Sequence, residues 1–367
     1  MDADVLIIGA GPAGTATAIH LGQLGIQNVV LVDRQEFPRD KTCGSGVSPK
    51  GIETLKALGV WDAVKPEAYS IRGLRLVTPR NEEAYISAAD EAVAIICQRR
   101  ILDNCLLERA RLLGIRFIPA FEARTLQYEG DRAVGVEARD GRIIKAKFVV
   151  VADGAHSRFG VNGKNKQTLQ GIMGWWNNVP FKANHVEMIF DETLAPHYGW
   201  LFPENGSRVN IGICYEDPLH TKNANTLFEH FLEKHYRIRL TDSIQLDRWK
   251  GHPISYSYRV RHLQSPGRLV VGEAGRMTHP ATAEGIYQGM HSGMMAAEAL
   301  RDVIRNSATE PQAWSEYEAR CRRAFGRSFL SAKLWRGAIK SPMLDWVVQF
   351  GRQPAVKRAL AKLMSKM

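Results

Sequence analysis

The chain has 367 residues, 45% of them hydrophobic and 24% charged; this length predicts two domains, and this composition excludes wholesale disorder and fibrous architectures. Its formal net charge is +11, yet residues 320–367 hold 12 Lys and Arg against the single acid Asp345. The remaining residues carry 37 basic and 37 acidic side chains and are neutral, which excludes a protein built around nucleic-acid contacts.

The five cysteines are widely spaced and form no C-x-x-C pair. This pattern argues against a disulfide framework, a zinc site or an iron–sulfur cluster, so we expect no metal and a reducing, cytoplasmic location. The acidic start at residues 1–4 is unlike a secretory signal, and the apolar run Val5–Ile8 is far shorter than the roughly 20 residues that span a bilayer.

The first 33 residues contain the elements of a dinucleotide-binding unit. The apolar run Asp4–Ile8 predicts a buried parallel strand, and it leads into G-x-G-x-x-G at Gly9–Gly14. A helical pattern follows over Thr15–Leu24, and a second strand, Asn28–Val32, ends at Asp33. Because strand, glycines, helix, second strand and acid occur in this order, the segment predicts a Rossmann fingerprint.

Each residue of the fingerprint has a physical role. Gly9 permits the tight turn, Gly11 lets the backbone approach a pyrophosphate, and Gly14 lets the helix pack on the strand. The helix begins at Pro12 and Ala13, and the backbone N–H groups that follow Pro12 are free to donate to the phosphates. Asp33, followed by Arg34, is placed to bind an unphosphorylated ribose, so FAD or NAD(H) is expected rather than NADP(H).

Two later segments repeat the pattern of a strand ending near an acid and glycines. Phe148–Ala152 runs into Asp153 and Gly154, and Leu269–Val271 runs into Gly272 and Glu273 before a predicted helix from residue 287 to residue 300. No second G-x-G-x-x-G occurs in the sequence, which excludes disulfide reductases with two dinucleotide domains. If the bound dinucleotide is FAD, the electrons that reduce it must therefore come from transiently bound NAD(P)H or from another reduced protein.

Four motifs together resemble the FAD-dependent group of aromatic hydroxylases, flavin halogenases and geranylgeranyl reductases. They are the glycine fingerprint, Arg99–Asp103, Ala152–Gly154 and the block from Gly272 to Ala297. The resemblance implies bound FAD, with Glu273 at the ribityl chain and Asp153 nearby. It also implies that Pro280, Gly285 and Ile286 hold the isoalloxazine ring, and that either Arg99 or Arg100 lies near the phosphates.

Two further segments are similar to the geranylgeranyl reductase branch. Phe37–Pro49 matches P-x-x-K-x-C-G-x-G, which implies that Cys43 and Gly44 lie at the flavin, and Tyr198–Pro203 matches Y-G-W-x-F-P. The latter makes Tyr198, Trp200 and Phe202 candidates for the substrate pocket. The halogenase signature W-x-W-x-I-P is absent from the sequence.

These anchors predict an α/β fold in three parts. Residues 1–70, 90–165 and 262–310 form a discontinuous Rossmann-like FAD domain with a parallel sheet. Residues 71–89 and 166–261 form an inserted, largely antiparallel substrate sheet, predicted from alternation in 167–180, 185–191 and 208–215. Residues 311–367 form a helical basic tail in which apolar residues at helical spacing alternate with Lys and Arg. This pattern suits packing on the protein's own core and also a helix on an anionic membrane, and for residues 320–367 we expect weak peripheral membrane association.

Three functions agree with this sequence. The first is an FAD-dependent reductase that is similar to geranylgeranyl reductases and reduces a double bond of an apolar or aromatic small molecule. The second is an FAD-dependent monooxygenase that hydroxylates an aromatic or enol substrate with NAD(P)H and O₂. The third is a non-catalytic flavin-binding redox or interaction module. One cofactor and one fold serve the first two, so the residues alone leave the choice open.

Overall fold

The computed structural model describes residues 2–87, 92–161, 167–339 and 345. Its strands are β1 Asp2–Ile8, β2 Val29–Val32, β3 Gly46–Val47, β4 Tyr69–Ile71, β5 Gly73–Val77, β6 Glu83–Ser87, β7 Ala94–Ile96, β8 Arg116–Ile118, β9 Ala123–Glu129, β10 Arg132–Ala138, β11 Ile143–Val151, β12 Gln167–Asn177, β13 His185–Ile189, β14 Gly199–Pro203, β15 Arg208–Tyr215, β16 Ile244–Gln245, β17 Lys250–Tyr256, β18 Gln264–Ser265 and β19 Arg268–Val270. Its helices are α1 Pro12–Gln23, α2 Pro49–Ala57, α3 Trp61–Val64, α4 Arg99–Leu112, α5 Ala224–Leu240, α6 Ile286–Ile304 and α7 Glu310–Ile339.

The first sheet is the predicted Rossmann-like one. Its strand order is β18-β19-β11-β1-β2-β8, with parallel pairing from β19 through to β8 and the β9–β10 hairpin attached antiparallel to β11. Along β1, Val5 and Ile7 pack into the core beneath the helices, whereas Leu6 and Ile8 pack into the core on the opposite face. Both faces are covered, which explains why β1 is apolar at consecutive positions rather than at alternate ones.

Helix α6 packs against α1 at very short distance. A Cβ added at Gly293 would lie 2.4 Å from the carbonyl oxygen of Ala13 and 2.7 Å from Oγ1 of Thr17. Gly293, which has no side chain, therefore lets the backbone of α6 approach α1. Strands β3, β7 and β4 form a separate three-stranded sheet in the order β3-β7-β4.

The second sheet has the order β16-β12-β15-β14-β13-β5-β6, with β17 also paired to β12. It is antiparallel except between β5 and β13, so the predicted fold class is confirmed. Helix α5, which the alternation argument missed, covers its outer face. Phe228, Phe231 and Tyr236 of α5 are buried there, and Asn223 caps the helix by accepting from the backbone N–H groups of residues 225 and 226.

Helix α7 confirms that the chain is helical from about residue 311 onward, as far as Ile339. Apart from Asp345, the predicted basic tail beyond this helix lies outside the described residues. Within the described part of the chain, no helix combines the length and the apolar character needed to cross a bilayer.

Candidate functional site

A cavity of about 800 Å³ lies between the carboxyl ends of β1 and β11 and the inner face of the second sheet. Most of the predicted site residues line it: Gly9, Gly11, Pro12, Ala13, Asp33, Arg34, Cys43, Gly44, Arg99, Asp153, Tyr198, Trp200, Phe202, Glu273, Gly285 and Ile286. Four predicted residues do not: Gly14, Arg100, Gly272 and Pro280. The fold thus brings residues from distant parts of the chain to one continuous space.

The glycine loop has the geometry that a bound pyrophosphate needs. Gly9 has φ of +104°, and an added Cβ there would lie 2.5 Å from the carbonyl oxygen of Ala152. At Gly14 an added Cβ would lie 1.9 Å from the carbonyl oxygen of Gly9, so Gly14 serves packing rather than the cavity surface. At Gly11 the nearest atom would be Nη2 of Arg39, 3.7 Å away, so the space above Gly11 is open. Helix α1 begins here without a side-chain cap, which leaves its first N–H groups for a ligand.

Asp33 holds the loop as well as facing the cavity. Its Oδ2 accepts from the backbone N–H of Ala10 at 2.8 Å, and its Oδ1 accepts from that of Gln35 at 2.9 Å. Because each carboxylate oxygen has two lone pairs, Asp33 can still accept from a ribose hydroxyl. Asp33, which was predicted only to bind the ribose, therefore also fixes the glycine turn.

The structure distinguishes the two neighbouring arginines. Arg100 is exposed outside the cavity, whereas Arg99 is buried and donates to both carboxylate oxygens of Asp103 at 2.7 Å. Burial acts to lower the pKa of Arg99, but Asp103 outweighs it and raises that pKa overall. Arg39, 3.2 Å from the same carboxylate, extends the group toward Gly11.

The two predicted acids, Glu273 and Asp153, line the same cavity. Oε1 of Glu273 accepts from the backbone N–H of Ser255 at 3.0 Å. Oδ1 of Asp153 is buried and accepts no hydrogen bond from the described residues, and burial raises the pKa of this carboxyl. A buried oxygen without a partner is costly, so the site fits a ligand that donates here, as a polyol or ribose hydroxyl would. These residues together fit FAD.

Gly272 and Pro280 support the site from outside the cavity. The N–H of Gly272 donates to Oγ of Ser292 at 2.9 Å, and a Cβ added at Gly272 would lie 2.8 Å from Cβ of Ala13. Gly272 therefore permits the contact between the late turn and the start of α1. Pro280 is buried within the same late turn.

The loop around Cys43 touches the aromatic segment of the second sheet. A Cβ added at Gly44 would lie 3.1 Å from Cε2 of Phe202, so this glycine permits the close approach. Sγ of Cys43 accepts from the backbone N–H of Ser45 at 3.3 Å and lines the cavity. The two segments that resemble geranylgeranyl reductases thus form adjoining walls.

The second sheet supplies a wall whose polar groups are already paired. Tyr198 donates from its hydroxyl to the carbonyl oxygen of Thr282 at 2.6 Å, and Nε1 of Trp200 donates to Oδ1 of Asn210 at 2.7 Å. Burial raises the pKa of Tyr198 well above its ordinary value, so it stays protonated. The rest of this wall is mainly apolar: Leu74, Met173, Val186, Met188 and Ile254.

Lys41, His252 and His156 form a basic group at the cavity, to which the sequence analysis assigned no role. Nζ of Lys41 lies 3.3 Å from Nε2 of His252, whose ring stands edge-on to His156 with centroids 5.3 Å apart. Burial and the charge of Arg99 lower the pKa of Lys41, and burial with the charge of Lys41 lowers that of His252 to about 3. Lys41 belongs to the quoted P-x-x-K-x-C-G segment, whereas no local pattern marks His252.

Fold and cavity together define a flavin-dependent class of protein, with one dinucleotide cleft opening into an apolar chamber. The chain belongs to the FAD binding domain family, whose model matches residues 2–330, and it is an FAD-dependent oxidoreductase.

Relatives support this assignment. The chain is 29% identical to a menaquinone reductase of Mycobacterium tuberculosis over 329 residues, which cover 83% of this chain and 78% of that protein. It is 26% identical to a digeranylgeranylglycerophospholipid reductase of Thermoplasma acidophilum, covering 93% of this chain and 88% of that one. A geranylgeranyl bacteriochlorophyll reductase-like structure from Thermoplasma acidophilum superimposes with a TM-score of 0.87 at 23% identity, covering 99% and 95%.

Proposed function

We propose that this oxidoreductase reduces a carbon–carbon double bond in a long, apolar, isoprenoid-like substrate. The observation that supports the proposal best is the shape of the site, in which the FAD cleft continues into a chamber walled by Met173, Met188, Trp200 and Phe202. The polar atoms of that wall are paired within the protein, so it offers a ligand mainly apolar contact. Two relatives are named for reduction of menaquinone and of digeranylgeranylglycerophospholipid, which both carry long apolar chains.

In the proposed reaction FAD, when bound and reduced, supplies a hydride to one carbon of the double bond. The chain's own residues bind and orient the substrate and exclude water. The other carbon needs a proton, and the donor that we propose is the thiol of Cys43, which lines the cavity. NAD(P)H or a reduced partner protein then replaces the two electrons, which is also part of the proposal.

An anaerobic turnover assay tests this function. Purified holoenzyme is reduced with dithionite and mixed with a geranylgeranyl lipid or with menaquinone in detergent, and products are followed by mass spectrometry. A product that carries two more hydrogens in its isoprenoid chain, located by fragmentation and formed without O₂, supports the reductase, whereas two hydrogens gained by the quinone ring do not. Strict dependence on O₂ with an oxygenated product would instead identify a monooxygenase.

The electron donor is tested separately by bleaching of the flavin absorbance under argon. NADH, NADPH and a reduced iron–sulfur protein are offered in turn, with dithionite as the chemical control. If only dithionite bleaches the flavin and no substrate is turned over, the reductase proposal fails and a non-catalytic flavin-binding module is favoured.

A further inference from the structure

Helix α7 has one buried face and one exposed face. On the inner face Trp314, Tyr317, Cys321, Phe325 and Phe329 are all at most 2% exposed. They recur every three or four residues, so the whole length of the helix is held on the protein. The outer face is therefore presented in a fixed orientation.

The end of α7 is anchored on the second sheet. Nη1 of Arg336 donates to the hydroxyl of Tyr256 at 2.7 Å, and the same guanidinium pairs with Glu216. Ile339 packs in the cluster that contains Tyr198 and Trp200 of the cavity wall. The outer face of α7 consequently lies on a helix whose inner end backs the proposed substrate chamber.

The outer face combines exposed leucines with cations. Leu330 is 55% exposed and Leu334 is 79% exposed, although both are large apolar side chains. Arg323 and Arg327 lie seven and three positions before Leu330, on the same side of a helix, and Lys333 flanks them. From residue 322 to residue 339 the sequence contains no acid.

Some of the cations on α7 form ion pairs with acids of the same helix, and others do not. Arg323 pairs with Glu316 and Arg322 lies 3.7 Å from Glu318, so both pairs lie on the N-terminal side of Arg327. Within the described residues, Arg327 and Lys333 form no ion pair. Two of the cations that border the exposed leucines therefore have no acidic partner among the described residues.

We propose that this face of α7, formed by Arg323, Arg327, Leu330, Lys333 and Leu334, docks on an anionic lipid surface. Leucines that enter the boundary between headgroups and acyl chains lose water contact, while the flanking cations stay at the lipid phosphates. A second protein copy would need an acidic partner face, whereas a bilayer supplies the negative charge itself. The proposal goes beyond the enzymatic function and does not depend on which substrate is reduced.

Co-sedimentation of the full-length holoenzyme with vesicles tests the surface. One set of vesicles is pure phosphatidylcholine and the other contains an equal part of phosphatidylglycerol, each at low and high salt. We expect binding to the anionic set at low salt and release at high salt, because salt screens exposed charges. Equal binding to both sets, or no binding to either, would overturn the proposal.

Variants locate the contact. Leu330→Ser combined with Leu334→Ser should weaken vesicle binding about tenfold, and Arg327→Glu combined with Lys333→Glu should weaken it by at least about tenfold. Ile238→Ser and Arg248→Glu are matched controls, since Ile238 is 87% exposed on α5 and Arg248 is exposed far along the chain from α7. Both controls should bind as the parent protein does.

Flavin content and turnover of a detergent-dispersed substrate should be unchanged in the leucine variant, because neither leucine lines the cavity. This separates failure of membrane docking from failure of the proposed function. If the α7 variants bind vesicles like the parent, or if they alter only the oligomeric state, the surface has been assigned wrongly.

Discussion

At the dinucleotide end of the cavity, Oδ1 of Asp153 is buried without a partner among the described residues, and α1 begins without a side-chain cap. At the other end, Tyr198 and Trp200 donate their polar hydrogens to Thr282 and Asn210 within the protein. The first end therefore recognises its ligand through a few directional hydrogen bonds, and the second through apolar contact and shape. Changes at the two ends should separate cofactor binding from substrate binding.

The largest separation is expected from Gly11→Val. Its side chain would occupy the open space beside Arg39 that a pyrophosphate needs, so the purified protein should be colourless. Flavin absorbance per protein measures the effect. Gly337→Ala, at a helical glycine where nothing lies within 4 Å, is the control and should stay yellow. Stoichiometric flavin in the Gly11 variant would show that the dinucleotide lies elsewhere.

Asp33→Ala should weaken FAD binding less severely, by about 1–3 kcal/mol, or roughly five- to 150-fold in the dissociation constant. The variant loses an acceptor for the ribose and also the bond that holds the N–H of Ala10. Fluorescence titration of the apoprotein with FAD measures this. Asp33→Asn keeps one acceptor oxygen, so it should lie between the parent and the alanine variant. An alanine variant that binds FAD as the parent does would contradict the assigned role.

Met188→Trp tests the other end of the cavity. Met188 lines the chamber, and a larger ring there should reduce turnover of a long apolar substrate about tenfold through steric exclusion. Flavin content should not change, which is the reverse of the Gly11 result. Met188→Leu preserves the volume and should turn over nearly as the parent does. If the Trp variant loses FAD but keeps turnover in proportion to remaining flavin, the two ends are not separable.

A prediction about stability concerns His279, which joins the late turn to α7. Its Nε2 lies 3.0 Å from Oγ of Ser328, and its Nδ1 lies 3.2 Å from the backbone N–H of Thr282. Burial lowers the pKa of His279 from 6.5 to about 4. Below pH 6.5 the unfolded chain therefore binds a proton that the folded chain takes up only near pH 4.

The free energy of unfolding should consequently fall as the pH drops from 6.5 to about 4, by up to about 1 kcal/mol per pH unit from this group. Denaturant unfolding at several pH values measures it. His279→Asn keeps an acceptor near the position of Nδ1 and cannot titrate, so its stability should depend less on pH across this interval. Identical pH profiles would show that His279 does not contribute.

The sequence predicted the cofactor end far better than the substrate end. The strand, glycine loop and helix at the start of the chain form a local pattern, and the observed β1, α1 and β2 lie within one to three residues of the predicted bounds. Helix α5 was missed although Asn223 and the spacing of Phe228, Phe231 and Leu232 indicate it. The pairing of Lys41 with His252 joins residues 211 positions apart, and no spacing rule can reveal such a contact.

The pairing of β11 with both β1 and β19 has a consequence for how the chain folds during synthesis. Ile8 pairs with Val151, which in turn pairs with Val270, so the sheet is completed only when about three quarters of the chain has left the ribosome. Until then Val149–Val151 of β11 lack the neighbour that β19 later supplies, and unpaired edges promote aggregation. Slow folding and a need for chaperones in overexpression follow from this order of contacts.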